Sequence, residues 1–415
     1  MGSEALVTND AVILGFLALI LGFVFYTENS EHPFWQKFYK YIPGLLLCYF
    51  LPSLLNSFGI VNAEESNLYF VASRYLLPTC LVLLTLSVDL PAIMRLGYKA
   101  IAMFLTGTIG IVAGGPLAIL IVGWVSPETV GGAGPDAVWR GLTTVAGSWI
   151  GGGANQTAMK EVFEVGDQLF SQMVAVDVIW ANVWMAILLF LAGRAKDIDE
   201  RMGADTTAID DLKERVEAFQ AKHGRLLTLP DLMLILAVGF GVTGFSHLLG
   251  TFISEWIGAN APALARLSLT SQFFWLVVIA TTLGLILSFT KAKKLEGAGA
   301  SKVGSAMLYI LVATIGMGMD VMAIFDNPGI FAIGGVWISI HAVLLLVMAR
   351  VLRVPLFYMA VGSQANVGGA ASAPVVASAF HPSLAPVGVL LAVFGYAVGT
   401  YAAWICGLIM QSMVG

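Results

Sequence analysis

Two short stretches set Asn, Gln, Ser and Thr among glycines inside otherwise apolar sequence. They are Gly147-Ser-Trp-Ile-Gly-Gly-Gly-Ala-Asn-Gln-Thr157 and Gly362-Ser-Gln-Ala-Asn-Val-Gly-Gly-Ala-Ala-Ser372. Residues of these types can hold a small solute. Amides and hydroxyls give directed hydrogen bonds, glycines let the chain turn without a Cβ clash, and a helix starting after the turn offers free N–H groups to an anion. The candidate solute-binding residues are Ser148, Gly152, Gly153, Asn155, Gln156 and Thr157 in the first stretch, and Ser363, Gln364, Asn366, Gly368 and Ser372 in the second. The competing reading is close helix packing, for which membrane bundles use the same small residues.

A third candidate is Asp177, in Met173-Val-Ala-Val-Asp-Val-Ile-Trp-Ala-Asn182. An ionisable group inside an apolar span is costly and marks an ion or proton path. Asp177, with Asn182 and carbonyls from the turns as further oxygen ligands, would suit a hard cation such as sodium; the alternative is a structural pair with Arg140 or Lys160. Asp89 and Asp320 match one another in the two halves but fall near span ends, where helix capping explains them equally well. Arg74 could meet a carboxylate or simply reach for the interface. His247 and His341 read as interhelical hydrogen bonders. The sequence has no paired metal-ligand motif, nucleophile elbow or phosphate-cradling loop, so an enzyme is disfavoured. No cofactor is expected apart from a coupling ion.

The elements that must position these residues are membrane spans. Of 415 residues, 58% are hydrophobic and 11% charged, against about a quarter charged in soluble chains. Apolar runs long enough to cross about 30 Å of hydrocarbon occur near residues 11–26, 40–58, 68–88, 98–124, 170–193, 230–250, 270–290, 303–322, 329–350 and 384–411. Segments 138–166 and 355–380 are apolar but interrupted at their centres by the polar stretches above. The acidic start lacks a basic signal-peptide region, so the first run is expected to be kept as a span. The three cysteines, Cys48, Cys80 and Cys406, sit in apolar runs without paired spacing and read as packing residues. No basic patch interleaved with aromatics suggests nucleic acid.

Residues 194–229 form the one long hydrophilic stretch, a cytoplasmic linker with a short surface helix expected over 207–222. It separates a first membrane repeat, 1–193, from a second, 230–415. Asp89 aligns with Asp320, and Gly147-Ser148 with Gly362-Ser363, in the same order. With an outer N-terminus and both interrupted segments returning to the side they entered, 17 of the 21 Lys and Arg become cytoplasmic, as the positive-inside rule asks. Each half then crosses five times, and the halves are inverted. The fold class is an all-α polytopic membrane protein of two inverted repeats of five transmembrane helices, each with a Gly-rich re-entrant hairpin. Polar backbone at that depth survives only against protein or a watery cavity.

At these Gly-rich motifs the chain resembles, over nearly its full length, a bacterial and plastid family catalogued as domain of unknown function 819, which carries no assigned substrate. More distantly it is similar to sodium/glutamate symporters and related elevator-type anion transporters. That second resemblance implies hairpins holding solute and sodium, with the scaffold halves forming a homodimer interface. The hairpin sequence departs from that of the symporters, which tells against glutamate. The expectation is a cation-coupled symporter of a small, anionic organic solute in the cell inner membrane, working by alternating access. Its partners would be the solute, membrane lipid and a second copy of the chain. The alternatives are a proton-coupled exporter or channel on the same fold, or a non-transporting membrane sensor or assembly protein.

Overall fold

Helices begin where a polar residue can cap them and run as far as the apolar sequence allows. Asn9 accepts the N–H groups of Ala11 and Val12, opening α1 (Asp10–Glu28). Thr228 and Asp231 form a reciprocal capping box at the start of a 32-residue helix, Leu229–Asn260. Sequence hydropathy ends that span near residue 250 because Ser254 and Glu255 lower it. The helix continues to the residues before Pro262, where proline disfavours helical backbone in the preceding position. The computed structural model describes residues 6–39, 42, 44–204, 227–318, 327–381 and 384–414. The expected surface helix over 207–222 and Asp320 lie outside them.

After α1 come α2 (Gly44–Ser57), α3 (Leu68–Leu86, with a π-helical turn at Ala72–Leu76), α4 (Tyr98–Val125), α5 (Val138–Val162) and α6 (Asp167–Ala192). Then follow α7 (Leu229–Asn260), α8 (Gln272–Leu287), α9 (Ala300–Gly318), α10 (Gly329–Val351), α11 (Leu356–Val367), α12 (Gly369–Phe380) and α13 (Ala385–Val414). Eight of these are long and apolar enough to cross a bilayer. The count reaches ten if α2 and α8, each bent by about 90° from a short neighbouring helix, form spans with those neighbours. These match the ten apolar runs of the sequence, and the protein is an all-helical membrane protein. Among the described residues the only β-type pairing is an isolated bridge between Val7 and Val61.

Both interrupted segments double back. Within α5, Gly152 has φ 72° and ψ −174°, a backbone only glycine adopts without strain. The two arms that follow from this break lie side by side: Gly166 N–H bonds the Pro135 carbonyl at 3.0 Å, and Arg140 donates to the Phe163 carbonyl. In the second segment the chain reverses between α11 and α12, at Gly369 (φ 60°). Gln364 reaches Ser372 across the turn, and the rings of Phe357 and Phe380 meet at its base. The bases of the two segments lie at opposite ends of α6. Gly166 immediately precedes α6, whereas Asp199, just beyond its far end, accepts the Leu356 N–H at 2.8 Å.

The helices pack in two groups, each drawn from both halves of the chain. In one, α1–α3 pack with α7–α9: Thr79 bonds Thr243 at 2.8 Å, and Gly316 lies against the Tyr49 backbone. In the other, α4–α6 pack with α10–α13. Here two indoles repeat one arrangement. Trp337 of α10 lies on Gly114-Gly115 of α4 and donates to the Ile111 carbonyl; Trp180 of α6 lies on Gly334-Gly335 of α10 and donates to the Phe331 carbonyl. A Cβ on any of these four glycines would stand 2.5–2.8 Å from the neighbouring helix, so only glycine permits the approach. The groups meet along α8 and α13, through Thr282 and Tyr401, and at an ion pair between Arg74 and Glu161 at 2.7 Å.

Candidate functional site

The Asp177 carboxylate is buried, and both arms of α5 converge on it. Ser148 donates to Oδ2 at 2.6 Å and Trp149 Nε1 to Oδ1 at 2.8 Å, both from the arm before the break. Gln156, from the arm after it, donates to Oδ2 at 3.0 Å. The residue thus fastens the turn at Gly152 from the neighbouring helix. Among the described residues no lysine, arginine or histidine pairs with this carboxylate.

The structural pair with Arg140 or Lys160 is therefore corrected. Arg140 serves the Phe163 carbonyl, and Lys160 bonds Asp167 at 2.8 Å and the Tyr69 hydroxyl at 3.0 Å. Asn182 is not brought to Asp177 either. Five residues along a helix turn it about 140° away, and its amide bonds the Val178 carbonyl one turn back.

Asn155 and Asn366 are both fully buried. Asn155 donates to the carbonyls of Gly151 and Tyr396 and accepts from Thr400 at 2.6 Å. Asn366 donates to Gly362 and Phe104 and accepts from Thr108 at 2.8 Å. Both N–H groups of each amide are committed to protein, leaving a single lone pair on each. Thr157 turns its hydroxyl to Gly153, and Gly153 faces Leu308 of α9 across the groups. Ser363 accepts the Trp184 indole N–H and lies 2.8 Å from His341 Nε2. Because His341 Nδ1 faces the Gly107 carbonyl, which can only accept, Nδ1 carries a proton. His341 thus joins α4, α10 and α11, the interhelical role expected for it. Gly368 is enclosed by Gln364 and Ser372, but the positive φ belongs to Gly369.

Among the described residues three buried polar side-chain atoms have no hydrogen-bond partner, Gln364 Oε1, the Tyr49 hydroxyl and Trp404 Nε1. Gln364 Oε1 is buried and unbonded while its Nε2 holds Ser372 at 2.7 Å; the Tyr49 hydroxyl, on α2, is likewise buried and unbonded. Buried polar atoms are bonded in the great majority of cases, so such exceptions mark a place for something else. Gly395 of α13 joins the two broken segments. A Cβ there would sit 2.5 Å from the Ile150 carbonyl oxygen and 3.7 Å from that of Ala365. The arrangement brings a carboxylate, neutral amide oxygens and the carbonyls at two helix breaks into one helix group.

A family described as "Protein of unknown function (DUF819)" matches residues 15–413. The chain belongs to the DUF819 family. It is 22% identical over 388 residues to the uncharacterized membrane protein YjcL of Bacillus subtilis (strain 168), an alignment covering 89% of this chain and 90% of that protein.

In this DUF819 chain several site residues escape sequence reasoning. Trp149 lies within the first Gly-rich motif with nothing in its spacing to mark it, yet its indole binds Asp177. Thr108, Thr400 and Tyr49 sit singly in apolar runs far from the Gly-rich stretches, and nothing in their local sequence signals a role. The Gly-Gly pairs at 114–115 and 334–335, each meeting an indole, were a findable signal.

Proposed function

We propose that this protein is a secondary active transporter that couples a cation, sodium, to symport of a small anionic organic solute across the cell inner membrane. The observation that carries this reading is the buried Asp177 carboxylate, served by three hydrogen-bond donors from both arms of a broken helix and, among the described residues, by no protein cation. A buried charge of this kind needs a compensating partner, and an ion that arrives and leaves with the solute supplies one. We read the two doubled-back segments as re-entrant hairpins opening toward opposite membrane faces, because their bases lie at opposite ends of α6. We read the halves as inverted repeats. Support comes from the two helix groups, each of which takes three spans, or a span, a broken segment and a span, from each half.

An elevator movement, one group sliding along the other, is supported by their composition: the broken segments and Asp177 belong wholly to one group. The outward apolar face of α7, with Phe240, Phe245, Leu248 and Phe252 exposed, calls for lipid or a second copy as cover. A homodimer is part of this reading, and enzymatic chemistry is not.

The test is solute uptake into proteoliposomes with sodium and proton gradients imposed separately. Sodium-driven uptake in the wild type that is lost in Asp177→Asn supports the reading. Uptake driven by a proton gradient alone, with its pH dependence removed in Asp177→Asn, would replace it with a proton-coupled carrier. Uptake unaffected by either gradient and by the substitution would end it.

A further inference from the structure

The second arm of α5 ends in Lys160 and Glu161, and both reach across to α3 of the other helix group. Glu161 accepts Arg74 Nη1 on Oε2 at 2.7 Å and the Tyr69 hydroxyl on Oε1. The Tyr69 oxygen in turn accepts from Lys160 Nζ at 3.0 Å, and the same ammonium lies 4.5 Å from the centre of the Tyr69 ring. Lys160 is buried and Glu161 nearly so. Arg74 is held in place by its own group. Its guanidinium stacks on the Phe273 ring of α8 at 4.4 Å. Its carbonyl is denied the usual helical partner, because Pro78 four residues on has no N–H, and His247 Nε2 of α7 bonds it instead at 2.8 Å.

Where the groups meet along α8 and α13 the contacts are of another kind, neutral hydroxyls and rings: Thr281 with Thr400 at 3.3 Å, Thr282 with Tyr401 at 2.6 Å, and Phe274 with Trp404 at 5.0 Å between centres. Such a surface can shift register and find new partners. An ion pair cannot, since movement by one helical turn, about 5.4 Å, takes Arg74 and Glu161 out of hydrogen-bond range. We propose that Tyr69, Arg74, Lys160 and Glu161 form a latch, closed in the arrangement described, that has to open before the group carrying Asp177 moves along the other. This inference rests on the elevator reading above and assigns the contacts that set the balance between its end states. Splitting a buried pair ordinarily strands two charges at high cost. Here each charge keeps a fallback. Glu161 stays beside Lys160, 3.9 Å away in its own group, and Lys160 stays with the exposed Asp167 at 2.8 Å. Arg74, its side chain already 31% exposed, keeps Phe273 and lines a cavity of about 710 Å³ with His247 and Gln272. The latch is therefore directional when closed and able to open.

The test is the distance between the groups, read by pulsed electron paramagnetic resonance on the full chain in lipid nanodiscs. Spin labels go on Leu19→Cys of α1 and Val347→Cys of α10, both exposed, while the three native cysteines are buried. Samples with one label identify distances between copies. Glu161→Gln keeps the shape of the side chain and removes its charge. The expected result is a second distance whose share relative to the first rises about tenfold over wild type, the scale of one charge-assisted hydrogen bond. A smaller rise is expected in Tyr69→Phe, which removes only the bridging hydroxyl and carries the decision if Glu161→Gln does not fold. Thr282→Val, which cuts a neutral tie between the same groups, should leave the ratio near that of wild type. Two distances in the wild type, with the same ratio in Glu161→Gln and Tyr69→Phe, would overturn the latch and leave the elevator reading standing. A shift in Thr282→Val as large as that in Glu161→Gln would overturn it too, since any loosening of the groups would then suffice. One common distance in wild type and every variant would overturn the latch and the elevator movement together.

Discussion

Asn155 is bound to Thr400 as Asn366 is bound to Thr108. In each pair the threonine hydroxyl donates to a buried asparagine oxygen, at 2.6 and 2.8 Å, from a helix lying outside the asparagine's own broken segment. In each, the asparagine also donates to the carbonyl one turn before that threonine, of Tyr396 or Phe104. The two asparagines stand on opposite arms of their turns, after Gly152 in one and before Gly369 in the other.

These amides are structural ties, and the expected cost of cutting them is thermodynamic. Asn155→Ala and Asn366→Ala should each lower stability by about 1–3 kcal/mol, the range for stranding buried polar partners. A double-mutant cycle between Asn155→Ala and Thr400→Val, followed by thermal or denaturant unfolding, should show coupling of about 0.5–3 kcal/mol, whereas Asn155→Ala with Thr108→Val should be additive. Equal coupling in both cycles would contradict the geometry.

Asp177 separates shape from charge. Asp177→Asn can keep its hydrogen bonds, since the Ser148 hydroxyl rotates and the Gln156 amide can present either end. It should melt within a few degrees of wild type. Asp177→Ala strands three buried donors at about 1–3 kcal/mol each, so it should melt far lower or fail to fold. Differential scanning fluorimetry on the purified variants distinguishes these outcomes, and equal destabilisation of both would mean that the charge itself holds the turn together.

Two neighbouring glycines should fail for different reasons. Gly152 has room for a Cβ, the nearest atom being the Tyr396 ring at 3.5 Å, but its backbone conformation excludes other residues. Gly152→Ala should therefore cost about 1–3 kcal/mol in strain. Gly151 has no positive φ but no room: a Cβ would meet the Asn155 amide at 2.2 Å and Gly399 Cα at 2.9 Å. Enlarging space by Asn155→Ala should partly relieve Gly151→Ala and do nothing for Gly152→Ala, as unfolding midpoints would show.

Beyond the end of α3, Asp89 caps the short helix Leu90–Arg95 and pairs with Lys293 at 2.7 Å. Burial pushes its carboxyl upward, but the Lys293 hydrogen bond, the Ala92 N–H and the charges of Lys293 and Arg95 outweigh it and hold the group below the ordinary carboxylate range. A depressed carboxyl contributes stability above its unfolded value and loses it as pH falls through the folded one. The melting-temperature gap between wild type and Asp89→Asn should be constant at neutral pH and shrink as pH falls below the unfolded carboxyl's value of about 4. A gap that widens on acidification would reverse the sign.

The breaks in the two polar segments were legible because glycines interrupt apolar sequence there, and the ten spans because hydropathy is a local property. Asp177 was legible as a costly residue, but its partners were not. Charge alone suggested Arg140 and Lys160, whereas the chain reversal at Gly152 brings up Ser148, Trp149 and Gln156 instead. Asn182 could have been set aside on helix geometry alone. The alignment of the halves set Gly151 opposite Asn366, while the hydrogen bonds match Asn155 with Asn366, since equivalent bonding arises here without equivalent position along the chain. Thr400 and Tyr49 were invisible because a lone hydroxyl in an apolar run acquires meaning only from what packs on it.

The dependence of Asn155 on Tyr396 and Thr400 sets an order of events during biosynthesis. The first broken segment leaves the ribosome some 240 residues before the helix that satisfies it, and at roughly 5–20 residues per second that delay is on the order of tens of seconds. Throughout it, a turn with open carbonyls and amides must be sheltered by water or by the insertion machinery. A chain truncated within α13 would stay in that condition, marked for destruction by a defect located almost at the opposite end of the message.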